Sequence, residues 1–194
     1  MTACLRAADG SALPYRAHRW LGPPTPEDHR VLTLAAPPVL DVGCGPGRHV
    51  LALAERGVLA LGIDITPAAL DLARTRGAPV LARSVFERIP GAGRWATALL
   101  LDGNAGIGGQ PAALLRRVAS LLRPRGKLLI ELEPPGKPHA VDVVRFDIDG
   151  VEGPWFEWSP VTPVELATYA AAAELQIDDV WCTGCRWFGT LRRG

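Results

Sequence analysis

Apolar residues along this chain come in short blocks, separated by polar stretches that glycine or proline punctuates. "PVLDV" is a compact apolar block of strand length, and residues 47–56 then carry apolar positions at helical spacing up to Gly57, a natural helix stop. The rhythm repeats. "VLALGID" predicts a second strand, and Thr66-Pro67 opens a helix that runs toward Gly77. "APVLARS" predicts a third strand. "WATALLLD" predicts a fourth, too uniformly apolar for a half-exposed edge and so expected mid-sheet. A helix follows from about Pro111 to Leu122, "RPRG" breaks it, and "KLLIELE" predicts a fifth strand.

After that strand the pattern changes. "DVVRFDID" and "GPWFEWS" have the alternation of an extra strand pair. Thr162-Pro163-Val164-Glu165 has the form of a capping box, opening a helix through about Leu175. "IDDVWC" and "CRWFGTL" close the chain as an expected antiparallel pair, with Thr183-Gly184 as its turn. Upstream, residues 1–24 are expected to be irregular because Pro14, Pro23 and Pro24 interrupt them. Thr25-Pro26-Glu27-Asp28 then starts a helix that ends before Pro37-Pro38, with acids at its positive end. Five strands alternating with helices, plus the closing pair, predict an α/β fold. Its expected core is a doubly wound, Rossmann-like, mostly parallel seven-stranded sheet with an antiparallel C-terminal strand pair.

Composition narrows the partners. The chain has 194 residues, 48% of them apolar, which fits one domain with its own core. Formal net charge is +1, so neither nucleic acid nor an anionic membrane is an expected partner. Lys127 and Lys137 are the only lysines, an arginine bias that reflects coding background. "MTACLRAADGSALPYRAHRW" lacks the apolar core of a signal peptide, and no run approaches a membrane span, so a cytoplasmic location is expected. Of the four cysteines, Cys182 and Cys185 form one C-x-x-C. A structural role is the first reading of that pair, with metal or redox chemistry as alternatives; no metal ligand set is assigned.

Candidate chemistry gathers after the first strand, in "VLDVGCGPGRHV". Gly43, Gly45 and Gly47 stand between a strand and a helix, where open α/β sheets bind ligands. Asp41 precedes them. A carboxylate there suits a ligand with an ammonium group better than a pyrophosphate. The spacing is G-x-G-x-G and not the G-x-G-x-x-G of dinucleotide enzymes. Asp64 ends the second strand, where an acid accepts hydrogen bonds from ribose hydroxyls.

"VLDVGCGPG" followed by "GIDITPAALDLAR" resembles the first and second motifs of class I S-adenosylmethionine-dependent methyltransferases. The likeness extends over about residues 37–135, and the closing strand pair fits the same fold. It implies a methyltransferase domain over residues 37–194, with residues 1–36 as an N-terminal segment covering the site, the whole forming a single domain. It also implies roles. Asp41 and the turn of Gly43, Cys44, Gly45 and Gly47 would line the methionine part of S-adenosylmethionine. Asp64, with Ile65 beside it, would hold the ribose. Ser84, flanked by Val85 and Phe86, stands where the family usually has an acid facing the adenine. Leu101 and Asp102 would pass beside the reacting methyl. Simpler roles remain open: Asp41 capping its turn, Asp64 capping the next helix, and Ser84 serving a turn.

"LLLDGNAGIGGQP" lacks the Asn/Asp-Pro-Pro-Tyr of adenine and glutamine N-methyltransferases. It is similar to a group of bacterial methyltransferases carrying "DGNIGIGG". A small-molecule acceptor is therefore expected, held in part by this loop. Candidates for acceptor chemistry are Asp102, Asn104, Glu133 and His139. Trp155 and Trp158 would wall an apolar acceptor or pack the extra strands. Arg48 is either a carboxylate ligand or an exposed helix arginine, and His49 is assigned to the packing or solvent face of its helix. Two other classes are weighed. An NAD(P)-dependent oxidoreductase is disfavoured by Asp41, the glycine spacing and the lack of a Tyr-x-x-x-Lys pair. A non-catalytic S-adenosylmethionine-binding protein would differ from an enzyme by the absence of turnover.

Overall fold

A computed structural model describes residues 3–13, 18–136 and 142–194. The N-terminal stretch expected to be irregular contains strands β1 (Ala3–Ala7) and β2 (Ala12–Leu13) and a single helical turn, α1 (His18–Leu21). Helix α2 (Pro26–Leu32) starts on a capping box, in which the Thr25 hydroxyl accepts from the Asp28 N–H while the Asp28 carboxylate accepts from the Thr25 N–H. The predicted alternation follows: β3 (Val39–Val42), α3 (Arg48–Glu55), β4 (Ala60–Asp64), α4 (Pro67–Thr75), β5 (Val80–Ala82), β6 (Trp95–Leu100), α5 (Pro111–Leu121) and β7 (Leu122–Leu132). Next come β8 (Asp142–Ile148), β9 (Val151–Glu152), β10 (Phe156–Trp158), α6 (Pro163–Ala172), β11 (Leu175–Thr183) and β12 (Arg186–Arg193).

The main sheet has seven strands in the order β11-β12-β7-β6-β3-β4-β5. Strands β3 to β7 pair in parallel, and β12 enters antiparallel against β7 with β11 at the edge. Side chains alternate between two cores, as period-two geometry demands. Leu40, Leu100, Leu128 and Ile130 face α5 and α6, while Val39, Leu99 and Leu129 face α2, α3 and α4. The sheet is thus covered on both faces, which explains why β3 and β6 are buried at every position. The sheet reverses direction of winding beside β3, and the crevice at the carboxyl ends of β3, β4 and β6 is where such sheets hold ligands.

Two local expectations change. The β11–β12 hairpin pairs Thr183 with Arg186, so its two-residue loop is Gly184-Cys185 and not Thr183-Gly184. Both loop residues have positive φ (56° and 63°), as a turn matched to strand twist requires. Strand β7 begins at Leu122, directly after α5, and absorbs "RPRG" as an irregularity before the regular ladder starts at Lys127.

A second, antiparallel sheet runs β10-β8-β1-β2, with β9 on β8. Leu5, Val144 and Trp158 form its small core, with Phe146 and Phe156 packed against them. It is fastened to the loop after β6 by a bridge between Ile107 and Trp158 and by backbone bonds from Gly108 N–H to the Glu157 carbonyl and from Ser159 N–H to the Gly106 carbonyl. The sheet therefore lies over the crevice.

Candidate active site

The turn after β3 has Gly43, Gly45 and Gly47 all at positive φ. Gly43 is doubly constrained. Its φ is 71°, and a Cβ there would stand 2.6 Å from the Asn104 amide nitrogen. The turn is braced from β4. Asp64 accepts the Gly45 N–H at 2.8 Å with one oxygen and the Thr66 N–H at 2.8 Å with the other. Burial pushes the Asp64 carboxyl up, against the pull of those N–H groups. Each oxygen has a further lone pair for a ligand hydroxyl, and Asp64 lines the main cavity. Asp64 thus combines the cap-like contact to Thr66 with a brace on the glycine turn.

The loop after β6 clasps the same turn from the other side. Asp102 adopts the left-handed conformation (φ 56°), which aspartate tolerates better than most residues. Both its oxygens accept from the Arg48 Nη2 at 2.7 Å. The Asn104 amide donates to the carbonyls of Val42 at 2.9 Å and Gly43 at 2.8 Å. Its nitrogen is thus spent on the glycine turn and not on an acceptor, which revises the role expected for it. Trp158 donates from its indole N–H to the Gly103 carbonyl at 2.7 Å. Gly106 has no room for a side chain: a Cβ would lie 2.2 Å from the Ser159 carbonyl and 2.4 Å from the Trp158 ring.

Beneath the turn lies a buried charge cluster. Arg48 is 4% exposed and joins Asp28 to Asp102, so it is neither a surface arginine nor a free carboxylate ligand. Arg186 of β12 makes a two-pronged contact with Glu131 of β7, at 2.7 Å on each side, and reaches Asp28 at 2.8 Å. Glu131 in turn accepts the Asp102 N–H at 2.8 Å. His49 sits among the acids, with nitrogens 3.6 Å from Asp28 and 3.8 Å from Asp41. Burial and the Arg48 cation oppose a charge on His49, but Asp28 and Asp41 raise it from 6.5 to about 9. Burial would raise the Asp28 carboxyl, but His49, Arg48 and Arg186 hold it well below the carboxylate range. Sequence reasoning missed Asp28, Glu131 and Arg186 as parts of the site. The one local signal was Glu131, a charge inside an apolar strand.

The main cavity lies at the carboxyl ends of the parallel strands and is partly open to solvent. Gly43, Asp64, Ile65, Ser84, Val85, Asp102 and Asn104 line it. Cys44 lines a smaller adjoining cavity with Arg48, and its thiol is pushed up by burial, so it is no nucleophile. Asp41, Gly45, Gly47, Leu101 and Glu133 line neither cavity. Asp41 is 1% exposed and faces His49, and the Glu133 N–H donates to the Val161 carbonyl. Phe86 is half exposed and covers Gly108 without entering the cavity. His139 lies outside the described residues. Trp158 lines the cavity, whereas Trp155 is exposed beneath the Arg145 guanidinium. Cys182 and Cys185 are free and exposed, and no group of three potential metal ligands occurs among the described residues. No helix among the described residues is long and apolar enough to cross a membrane.

Comparison with known proteins shows which folds share this glycine turn. Residues 39–126 match the family described as "Methyltransferase domain". That stretch is similar to a methyltransferase domain, and the fold of the chain is that of solved S-adenosylmethionine-dependent methyltransferases. A ubiquinone biosynthesis O-methyltransferase of Xanthomonas euvesicatoria is 30% identical over 77% of this chain, which spans 66% of that protein's length. A Bacteroides fragilis S-adenosylmethionine-dependent methyltransferase, solved with S-adenosylhomocysteine, superposes with a TM-score of 0.79 at 23% identity, covering 97% of this chain and 86% of that one. The 1,6-didemethyltoxoflavin N1-methyltransferase of Burkholderia thailandensis, solved with its acceptor and S-adenosylhomocysteine, gives a TM-score of 0.63 at 22% identity, covering 87% and 78%. Within the matched stretch, Asp64 and the glycine turn occupy the carboxyl ends of β4 and β3, at the mouth of the crevice.

Proposed function

We propose that the protein transfers a methyl group from S-adenosylmethionine to a small-molecule acceptor. The observation that carries the reading is the Asp64 carboxylate, buried at the cavity wall and fixed by two backbone N–H groups with lone pairs to spare. The residues present fit the cofactor: a glycine turn open to close approach, an acid at the ribose position, and Ser84 and Val85 along the cavity beyond it. When bound, the cofactor supplies a methyl carbon on a sulfonium, to which an acceptor lone pair bonds as the carbon–sulfur bond breaks and leaves an uncharged thioether. The chain's part is alignment, which supplies much of the rate of such in-line displacements. Arg48 and Asn104 hold the loop after β6 against the glycine turn, and the second sheet covers the crevice against water. Two structural or sequence relatives are named for small-molecule acceptors, which supports that class.

Calorimetric titration tests the reading. S-adenosylhomocysteine should bind and NADH should not. Asp64→Ala should weaken S-adenosylhomocysteine by about 1.5–3 kcal/mol, the worth of hydrogen bonds to a charged group. Tight NADH binding with no response to S-adenosylhomocysteine would sink the assignment.

A further inference from the structure

We infer that the acceptor is an uncharged, planar aromatic ring seated under the second sheet. The inference rests on the methyl-transfer reading above. The outer wall of the main cavity is aromatic on three elements: Trp20 of α1, Phe146 of β8, and Phe156 and Trp158 of β10. Trp20 and Phe146 meet edge to face with centroids 5.0 Å apart, and Phe146 and Phe156 are tilted by 34° at 5.3 Å. Rings packed in this way present both faces and edges, the surfaces against which another flat ring gains most. The wall is also fixed where it meets the loop after β6. Trp158 is fixed by its bond to the Gly103 carbonyl and lies directly on the Gly106 backbone, so little side-chain freedom is lost when a ligand seats against it.

Charge decides between an ionised and a neutral ring. Three charged residues line the cavity among those described: Asp64, Arg83 and Asp102. Asp64 is committed to the glycine turn and Asp102 to Arg48. Arg83 is half exposed, with Glu87 3.9 Å away. The aromatic end therefore has no charge to offset the burial of an ionised acceptor, and an unpaired buried charge is expensive. A flat, neutral ring meets no such cost.

The test uses the full chain saturated with S-adenosylhomocysteine, with tryptophan fluorescence and calorimetry as readouts. Three probes on one bicyclic carbon skeleton separate the requirements: 2-naphthol, flat and neutral; 6-hydroxy-2-naphthalenesulfonate, flat and anionic; and decahydro-2-naphthol, neutral and not flat. We expect 2-naphthol to bind several-fold and up to about tenfold more tightly than either of the others, the size of an aromatic contact's worth. Phe156→Leu should cut 2-naphthol affinity several-fold while S-adenosylhomocysteine affinity stays put. Equal binding of the three probes, or no saturable binding of 2-naphthol to the loaded protein, overturns the inference and leaves the methyl-transfer reading standing. Failure of S-adenosylhomocysteine to bind at the first step overturns both. The wild-type probe series decides the matter even if the variant does not fold.

Discussion

Replacing Asn104 by alanine removes one amide and, with it, both hydrogen bonds that clasp the glycine turn. The bonds run to the Val42 and Gly43 carbonyls at 2.9 Å and 2.8 Å. Each is worth about 1 kcal/mol net, so the pair stabilises the clasp by about 2 kcal/mol. Gly43, held at φ 71°, is the residue that gains most freedom when the clasp goes. Whatever order the turn loses in the free protein must be restored when cofactor binds. The affinity for S-adenosylhomocysteine should therefore fall by up to about 2 kcal/mol, roughly thirtyfold. The melting temperature should fall by about 4–8 °C for a chain of this size. Asn104→Asp keeps the shape but offers no donor to the two carbonyls, so it should be no better than alanine. Titration of each variant with S-adenosylhomocysteine, beside thermal melts, reads both quantities. If affinity for S-adenosylhomocysteine is unchanged while acceptor KM rises, the amide serves the acceptor and the clasp argument is wrong.

Three further perturbations probe the surroundings. Gly106→Ala forces a Cβ to within 2.2 Å of the Ser159 carbonyl and 2.4 Å of the Trp158 ring, so it should cost about 1–3 kcal/mol and shift tryptophan emission; unaltered emission and melting would show that the loop does not press on Trp158. His49 has a folded value raised from 6.5 to about 9, so its contribution, about 3 kcal/mol, is complete below pH 6.5 and lost as pH rises through 9. Melts from pH 6 to 10 should show that loss, and His49→Gln should flatten it; parallel curves for the two proteins would refute a charged His49. Arg186→Met leaves Glu131 and Asp28 short of a cation and should cost about 3–5 kcal/mol, with Glu131→Gln in the same chain restoring part of it; additive losses would show that the two side chains are not coupled.

The main sheet was legible because its information is local. β3, β4 and β6 are apolar blocks bounded by glycine, proline or aspartate, and parallel burial on both faces leaves them little choice but the middle of a sheet. β1 was not legible. "ACLRA" has no alternation that marks a strand, and its state comes from pairing Leu5 with Phe146 and Arg6 with Arg145, partners about 140 residues away. The same holds for "RPRG". Proline and glycine there suggest an ending, whereas Trp95 of β6, paired with Leu122, draws the segment into the sheet. Local punctuation names the turn, and tertiary pairing decides whether the ladder resumes.

The site divides along the same line. Gly43, Gly45, Gly47 and Asp64 form a motif whose meaning survives without the fold, because spacing alone places them on consecutive strand ends. The charge cluster has no such motif. Asp28 comes from α2, Asp41 from β3, Arg48 and His49 from α3, Asp102 from the loop after β6, Glu131 from β7 and Arg186 from β12. Net charge hides the cluster too. The whole chain stands at +1, yet this cluster sets four carboxylates against two guanidiniums and one imidazolium, a formal excess of one negative charge. Such an imbalance is costly under a buried turn unless a ligand offsets it. The Asp41 oxygen that lacks a hydrogen-bond partner among the described residues is the one nearest the His49 ring, 3.8 Å from its Nδ1. Asp41, which sequence reasoning placed against the ligand, is instead buried within this seven-residue cluster and faces His49, so only the assembled fold shows its surroundings.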